Sequence, residues 1–215
     1  NENSLEDDFV ELLEEYQPHL VGFSVLEPMM GISIKMAELV KERWGEIITV
    51  IGGVFPTLDP DVVARHRCFD LICVGEGESG LVELCNRLSN NEDHKTVRGF
   101  WTHTNNGIIK NGNAPSHDLN ELSHPKLEIF DERLLIKPMQ GRLYKMVSIE
   151  SSRGCPYKCT YCAVSKLNTF FKETTDSQYY RKVDMDRVLE QIKHQVARHS
   201  PDFVYFTSET FLAIS

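Results

Sequence analysis

The sequence predicts an α/β fold, with a parallel sheet and crossover helices followed by the beginning of a second β/α region. Two observations support this class. In the first hundred or so residues, apolar runs of strand length alternate with segments of helical period, and turns containing Gly or Pro separate them. After residue 113, a polar stretch interrupts the alternation before another apolar run begins. Such alternation is typical of parallel sheets whose strands are joined by helices.

The first half of the chain has the most regular patterns. Leu5, Phe9 and Leu12 recur at helical spacing, whereas the mostly apolar run over His19–Leu26 is typical of a buried strand. The same reasoning predicts helices over Leu5–Tyr16, Gly31–Trp44, Asp61–Arg67 and Ser79–Leu88, and strands over His19–Leu26, Ile47–Gly53 and Asp70–Gly75.

The second half begins with a hairpin and ends with a helix and a strand. Asn105-Asn-Gly107 is a turn signal between two short strand-like segments. The remaining predicted elements are a short helix over Phe130–Leu135, a strand over Tyr144–Glu150, a helix over Asp186–His199 and a strand over Asp202–Phe206. We expect a first domain over residues 1–113, a linker over 114–143 and a second domain over 144–215.

The composition restricts the partners and the compartment. The 215 residues include 32 acidic and 23 basic side chains, for a net charge of −9. Because no basic cluster could neutralise phosphates, we expect no nucleic-acid partner. No segment approaches the roughly 20 continuous apolar residues that span a bilayer, and the acidic start is unlike a secretory signal. We therefore expect a cytoplasmic protein without a membrane partner.

Cys155, Cys159 and Cys162 place three thiols at C-x3-C-x2-C spacing on one loop directly after a predicted strand. A [4Fe–4S] cluster takes thiolates at its corners, and a short loop supplies three while leaving one iron without a protein ligand. Structural zinc is the alternative, but it needs a fourth Cys or His. After Cys162 the next histidine is His194, on a helical segment. The spacing therefore predicts a cluster with one open iron.

The other three cysteines are Cys68, Cys73 and Cys85, which lie in apolar or helical segments. A free thiol in such surroundings behaves as a small hydrophobic side chain. We expect no disulfides, which agrees with a reducing compartment.

The run Arg153-Gly-Cys-Pro-Tyr-Lys-Cys-Thr-Tyr-Cys162 resembles the signature loop of radical S-adenosylmethionine (SAM) enzymes. The resemblance implies that SAM chelates the open iron and is cleaved to a 5′-deoxyadenosyl radical, with chemistry that belongs to the cofactor. It also implies that Tyr161 lies against the adenine. The alternative role of Tyr161 is that of an aromatic residue in the core or at its rim.

Tyr180-Arg181 and Thr207-Ser-Glu-Thr-Phe211 also resemble features of this family, which usually has Asp where Ser208 stands. By this resemblance Glu209 is a candidate for the SAM amino group, and its alternative role is a satisfied polar residue at a strand end. The family has a TIM-like (β/α)6 barrel. Residues 144–215 are therefore expected to form the start of a partial barrel, and the chain to be a fragment.

Small residues follow the three predicted parallel strands, at Ser24, Gly52-Gly53 and Gly75-Glu-Gly77. Ligands of open parallel sheets bind beyond the carboxyl ends of the strands, and glycine permits close approach to the main chain. A simple turn is the alternative for each glycine pair. No G-x-G-x-x-G opens a long helix, so a dinucleotide is not expected. We expect the Gly53 loop to accept a bulky side chain, since strand-end loops tolerate bulk better than cores.

The strings Val21-Gly-Phe-Ser24, Ile51-Gly-Gly-Val-Phe-Pro-Thr57 and Val74-Gly-Glu-Gly-Glu78 resemble the later half of the Rossmann-like (flavodoxin-like) cobalamin-binding domain that precedes many radical SAM cores. The resemblance implies that the cobalamin tail contacts Ser24, Gly52, Gly53, Gly75, Glu76 and Gly77. The first part of that domain, with the histidine loop that binds cobalt in methionine synthase, is expected to precede Asn1.

Together the resemblances imply a cobalamin-dependent radical SAM enzyme that methylates an unactivated carbon of a small-molecule substrate, or forms a ring or oxidises it. They also imply an electron donor such as flavodoxin or ferredoxin. Two alternatives stay open. A methylthiotransferase would need cluster cysteines in the first domain, where Cys68, Cys73 and Cys85 are poorly placed. A cobalamin-binding redox sensor would not cleave SAM.

Overall fold

The computed structural model describes residues 4–213, and the chain divides into unit 1 over Asn1–Ser116 and unit 2 over His117–Ser215. The α-helices are α1 (Leu5–Tyr16), α2 (Met30–Arg43), α3 (Val54–Leu58), α4 (Pro60–Val63), α5 (Glu78–Ser89), α6 (Ala163–Thr175) and α7 (Met185–His199). The strands are β1 (Leu20–Ser24), β2 (Ile48–Gly52), β3 (Leu71–Cys73), β4 (Phe100–Thr104), β5 (Gly107–Lys110), β6 (Ile136–Met139), β7 (Arg142–Ile149), β8 (Ser152–Arg153), β9 (Arg181–Lys182) and β10 (Phe203–Phe206). Within residues 4–213, no helix has the length and apolar character that a bilayer span requires.

Unit 1 contains a five-stranded sheet in the order β1-β2-β3-β4-β5. β1, β2 and β3 run parallel, and β4 and β5 follow as an antiparallel hairpin. The register pairs Ser24 with Gly52, so the carboxyl ends of β1 and β2 lie level. The predicted alternation of strands and helices is confirmed, as is the hairpin that ends it.

The helix predicted over 61–67 is wrong in position. In the structure α3 begins directly after Gly53, and α4 begins at Pro60. Proline is favoured at the first helical position, because the N–H that it lacks would have no intrahelical partner there. Pro60 therefore starts a helix, whereas we had interpreted it only as a turn signal before one.

The core of unit 1 surrounds β2 and β3. Ile51 and Leu71 are fully buried, as expected for central strands of a sheet covered by helices. Cys68 and Cys73 are buried as well, which confirms their predicted role as small hydrophobic side chains. Cys85 differs, because its position on α5 leaves it exposed.

Burial, aided by the nearby Glu78 carboxylate, raises the pKa of the Cys73 thiol from 9.0 to about 12. Between these two pH values, the unfolded chain loses a proton that the folded chain keeps, so folding is progressively disfavoured. The free energy of unfolding should fall by up to about 1.4 kcal/mol per pH unit in that range. Urea unfolding at increasing pH should give a shallower decline for Cys73→Ala than for the unmodified protein. Equal slopes would contradict this prediction.

Unit 2 places the long strand β7 between β6 and β10. β6 runs antiparallel to β7, whereas β10 runs parallel to it, with Ile149 opposite Phe206. The helix and the strand predicted near the end of the chain are confirmed as α7 and β10. Parallel strands joined through helices are the repeating unit of a β/α barrel.

Four elements of unit 2 were missed by the sequence analysis, namely α6, β6 and the two-residue strands β8 and β9. α6 begins directly after Cys162, and two of its apolar side chains, Leu167 and Phe171, are buried. Several other positions of α6 are threonines, which have low helix propensity and weaken the pattern. β6 lies inside the segment that we predicted as a linker. Its Pro138 is compatible with a strand because β6 is at the edge of its sheet.

Candidate functional site

The three predicted ligand thiols lie on one loop between β8 and α6. Cys155 and Cys162 are half-buried, Cys159 is exposed, and all three are free. The N–H of Cys162 donates a hydrogen bond to the carbonyl of Cys159 (3.1 Å), and Cys162 then caps the N-terminus of α6. The positive end of this 13-residue helix lies next to the loop, where it favours negatively charged groups.

Two side chains of α6 hold the backbone of this loop. The Asn168 amide nitrogen Nδ2 donates to the carbonyl of Cys155 (2.8 Å). The Ser165 hydroxyl lies within hydrogen-bond distance of the carbonyls of Cys159 (3.0 Å) and Cys162 (2.8 Å). These contacts involve main-chain oxygens, so they order the loop without using its sulfur atoms.

Ser208, which stands where the resembled family usually has Asp, holds the end of β7. Its hydroxyl accepts hydrogen bonds from the N–H groups of Ser151 (3.3 Å) and Ser152 (3.2 Å). Both of these serines are buried, and buried N–H groups are costly when they have no partner. Ser208 therefore satisfies the strand end that leads into the cysteine loop.

Glu209 and Thr210 contact the two residues at the start of the loop. The Glu209 carboxylate accepts a hydrogen bond from the N–H of Gly154 (3.0 Å). The Thr210 hydroxyl lies 2.8 Å from the sulfur of Cys155. Glu209 is thus a satisfied polar residue at a strand end. It is also exposed, and a carboxylate has further acceptor sites for a second partner.

Tyr161 lies on the surface of the loop and is 91% exposed. It is therefore outside the core, and a face of its ring is open to a ligand. The structure places Tyr161 directly before Cys162, at the end of the loop where α6 begins.

Within residues 4–213, no three His, Cys, Asp or Glu side chains converge as ligands of a single metal ion. A zinc ion needs its ligands about 2.0–2.3 Å from one centre. A cluster makes a different demand, because each iron at a corner takes its own thiolate. Three free thiols spread along a short loop with an ordered backbone therefore suit a cluster, in which each binds a separate iron.

In unit 1 the predicted cobalamin contacts lie at the carboxyl ends of the parallel strands. These strand-end residues are Ser24, Gly52, Gly53, Gly75, Glu76 and Gly77. Ser24 ends β1 opposite Gly52, which ends β2. Gly53 and Gly75 have φ angles of 107° and 105°, a region that strongly favours glycine. Because adjacent parallel strands end at the same edge of a sheet, the structure brings these residues together.

Thr57, which the sequence analysis did not select, joins two of these loops. Its hydroxyl donates to the carbonyl of Gly53 (2.8 Å) and accepts from the N–H of Gly75 (3.1 Å). Thr57 is buried, so the two bonds are partly shielded from water. A threonine four residues after the glycine pair at the end of β2 is the signal that could have identified it.

The expectation that the Gly53 loop accepts a bulky side chain is wrong. A Cβ atom at this position would lie 2.7 Å from the carbonyl oxygen of Val25 and 2.8 Å from its nitrogen. Both are backbone atoms of the neighbouring strand end, and they cannot rotate away as a side chain could. A substitution at Gly53 would therefore disturb the fold, so a loss of ligand binding in that variant would not report on the groove.

Replacing Thr57 with Val should destabilise unit 1 by about 1–3 kcal/mol, because the part-buried N–H of Gly75 loses its acceptor. Thr57→Ser keeps the hydroxyl and should lose less. Urea unfolding can be followed by the fluorescence of Trp44 and Trp101, both of which lie in unit 1. An equal loss of stability in the Val and Ser variants would contradict a role for the hydroxyl.

The sequence analysis assigned no role to three further residues at the cysteine loop. They are Gly154, Ser165 and Asn168. Ser165 and Asn168 lie three and six residues after Cys162, in the first two turns of α6, which the sequence analysis does not predict. Their roles could not be assigned without α6.

The chain is similar to known proteins over most of its length. A family model described as a B12 binding domain matches residues 1–85. The anaerobic magnesium-protoporphyrin IX monomethyl ester cyclase of Rubrivivax gelatinosus is 27% identical over 216 residues, covering 96% of this chain and 36% of the relative. The cobalamin-dependent radical SAM methyltransferase TokK of Streptomyces tokunonensis is 26% identical over 202 residues, covering 91% of this chain and 28% of the relative. The chain thus spans about a third of the length of these relatives.

A solved structure has the same fold. The radical SAM methyltransferase TsrM from Kitasatospora setae, with cobalamin and a [4Fe–4S] cluster bound, matches with a TM-score of 0.68 and 17% identity. The match covers 99% of this chain and 41% of that chain. The predicted fold class is therefore confirmed, with a Rossmann-like unit followed by β/α elements of the second region.

Proposed function

Because the chain belongs to the cobalamin-binding radical SAM enzymes, we propose that it holds a [4Fe–4S] cluster, SAM and cobalamin for radical chemistry on a small-molecule substrate. The observation that carries this proposal is the ordered loop of Cys155, Cys159 and Cys162. Three thiolates would ligate three irons and leave the fourth for SAM. Since α6 already holds the loop backbone, little further ordering is needed when the cluster binds.

SAM would be bound by two residues of unit 2. Glu209 would accept a hydrogen bond from the SAM amino group with the acceptor sites that Gly154 leaves unused. Tyr161 would stack on the adenine, and its exposed ring supports this role, because stacking buries apolar surface that is otherwise in water.

The six strand-end residues of unit 1 would bind the nucleotide tail of cobalamin. The absence of a Cβ at Gly75 would let the tail approach main-chain groups closely. At Gly53 the missing Cβ makes room for the Val25 main chain, which brings the ends of β1 and β2 together. Thr57 stabilises this groove, because its two hydrogen bonds hold the Gly53 and Gly75 loops together. Ser24, exposed at the end of β1, would offer its hydroxyl to the same groove.

When bound, these groups supply a carbon-centred radical and a transferable methyl group, and the protein supplies binding and orientation. We favour methyl transfer to an unactivated carbon. Ring formation or oxidation is the alternative outcome, and one relative is named a cyclase. Methylthiotransfer has less support, because Cys68 and Cys73 are buried in unit 1 and so poorly placed to hold a further cluster.

The proposal extends to the partners of the protein. The reaction needs a one-electron donor, for which a flavodoxin or a ferredoxin is suitable, in the reducing setting of a cytoplasm. A nucleic-acid substrate is disfavoured by the net charge of −9, which repels phosphates.

Cobalamin binding can be tested with a tryptophan at the strand-end groove. Ser24→Trp adds a large side chain at an exposed position and should weaken cobalamin binding at least about tenfold, or about 1.4 kcal/mol. Glu46→Trp is the matched control, since Glu46 is exposed in the turn before β2, at the opposite ends of the strands. Absorbance titration measures both dissociation constants. Equal affinity in the unmodified protein and Ser24→Trp would contradict a groove at this edge.

A further inference from the structure

We propose that Thr210 is a positioning residue whose hydroxyl donates a hydrogen bond to the sulfur of Cys155 and raises the reduction potential of the cluster. The inference rests on the proposed function, since it requires a cluster on the cysteine loop. Its starting point is the distance of 2.8 Å between the Thr210 oxygen Oγ1 and the Cys155 sulfur.

The position of Thr210 is set by strand pairing. β10 pairs in register with β7 up to Phe206 and Ile149, and the N–H of Thr207 donates to the carbonyl of Ile149 (3.0 Å). Ser208 then bonds Ser151, 57 residues earlier in the chain. From Glu209 onwards the separation is 55 residues, which brings Thr210 to Cys155. Thr210 is thus positioned by contacts of the three residues before it, Thr207, Ser208 and Glu209, which do not depend on its own side chain.

The chemistry of the pair assigns the direction of the bond. A thiolate that ligates iron has no proton, so it can only accept, whereas a threonine hydroxyl has one proton to donate. A hydrogen bond to a ligand sulfur withdraws charge from it, and hydrogen bonds to sulfur are among the factors that set cluster potentials. Reduction adds one electron to the cluster and no bond forms or breaks. The bond from Thr210 should therefore stabilise the reduced form more than the oxidised form.

The arrangement distinguishes Cys155 from the other two ligands. Near Cys159 and Cys162, the hydroxyl of Ser165 bonds main-chain carbonyls. At Cys155 the carbonyl is already taken by Asn168, and the Thr210 hydroxyl contacts the sulfur. The Thr210 hydroxyl is therefore placed to act on a ligand sulfur, whereas the Ser165 hydroxyl is placed to hold the loop backbone.

The test compares three variants after anaerobic reconstitution. Thr210→Val replaces the hydroxyl with a methyl group of similar size, Thr210→Ser keeps the hydroxyl, and Thr207→Val makes the same change at an exposed position whose hydroxyl meets only a main-chain carbonyl. The cluster potential is measured by a redox titration followed by electron paramagnetic resonance. Thr210→Val should lower the equilibrium constant for reduction about tenfold, which is about 59 mV for one electron. Thr210→Ser and Thr207→Val should stay close to the unmodified protein.

A second readout detects the proton directly. Electron–nuclear double resonance of the reduced cluster in light and heavy water should show an exchangeable proton that Thr210→Val loses and Thr210→Ser retains. If Thr210→Val assembles no cluster while Thr210→Ser assembles one, the hydroxyl is needed at Cys155, and the proposal is supported.

The outcomes that overturn the inference are distinct from failure of the proposed function. A full cluster with an unchanged potential in Thr210→Val would overturn the inference alone, as would an equal shift or an equal loss of iron in the Val and Ser variants. Absence of any cluster in the unmodified protein would overturn both.

Discussion

Replacing Cys155, Cys159 and Cys162 together with alanine is expected to reduce the iron bound after anaerobic reconstitution from about four per chain to near zero. Within residues 4–213, no three His, Cys, Asp or Glu side chains outside the loop converge as ligands, so the described part of the chain offers no substitute for the loop. Iron and sulfide analysis and the visible absorbance of the cluster measure the loss. Each single substitution should also lose most of the iron, because the remaining two thiolates hold only half of the cluster's irons.

The matched control is Cys85→Ala, which removes an exposed thiol of unit 1 from a protein that keeps the loop. It should bind as much iron as the unmodified protein. A full complement of iron and sulfide in the triple variant would contradict the cluster assignment. Loss of iron in Cys85→Ala would mean that the loop is not the whole site.

Replacing Gly154 with Ala is expected to destabilise unit 2 and to displace the start of the cysteine loop. Gly154 has a φ of +84°, and a Cβ there would lie 2.9 Å from the Tyr179 ring and 3.0 Å from Tyr180 Cα. Backbone strain of about 1–3 kcal/mol and overpacking of a similar size should together cost about 2–6 kcal/mol. Hydrogen exchange followed by mass spectrometry should show loss of protection in the peptides around Cys155, together with reduced iron binding.

Gly141→Ala separates the two causes. Gly141 has a φ of +75°, but no atom lies within 4 Å of the position of its Cβ. This control therefore carries the backbone strain alone, about 1–3 kcal/mol. If Gly154→Ala costs no more than Gly141→Ala, the packing of Tyr179 and Tyr180 against Gly154 is not what fixes the loop.

The helices and strands of unit 1 were largely predictable because their signals are local. α1 and α5 show apolar side chains at helical spacing, and β2 is an apolar run between turn residues. The errors arose where two signals compete. Pro60 was interpreted as a turn signal ahead of a helix, although proline also starts helices, and the observed α4 begins at this residue.

In unit 2 the weak signals belong to elements that depend on their neighbours. The helix α6 has buried Leu167 and Phe171, but its threonines disfavour helix, so packing decides its conformation. The strand β6 contains Pro138 and is exposed throughout, so it exists because it pairs with β7. Pairing between strands is a long-range property that periodicity does not report.

The sequence by itself determined the three thiols proposed as cluster ligands and the small residues at the strand ends, because spacing on one loop and residue type at the end of one strand are local properties. Only the tertiary structure decided which side chains form hydrogen bonds with these thiols and strand ends. Thr57 meets Gly53 and Gly75 because β2 and β3 lie side by side. Thr210 meets Cys155 because β10 and β7 pair in parallel, which joins residues 55 positions apart. These hydroxyls have no sequence signature, since their partners are defined by contact in space.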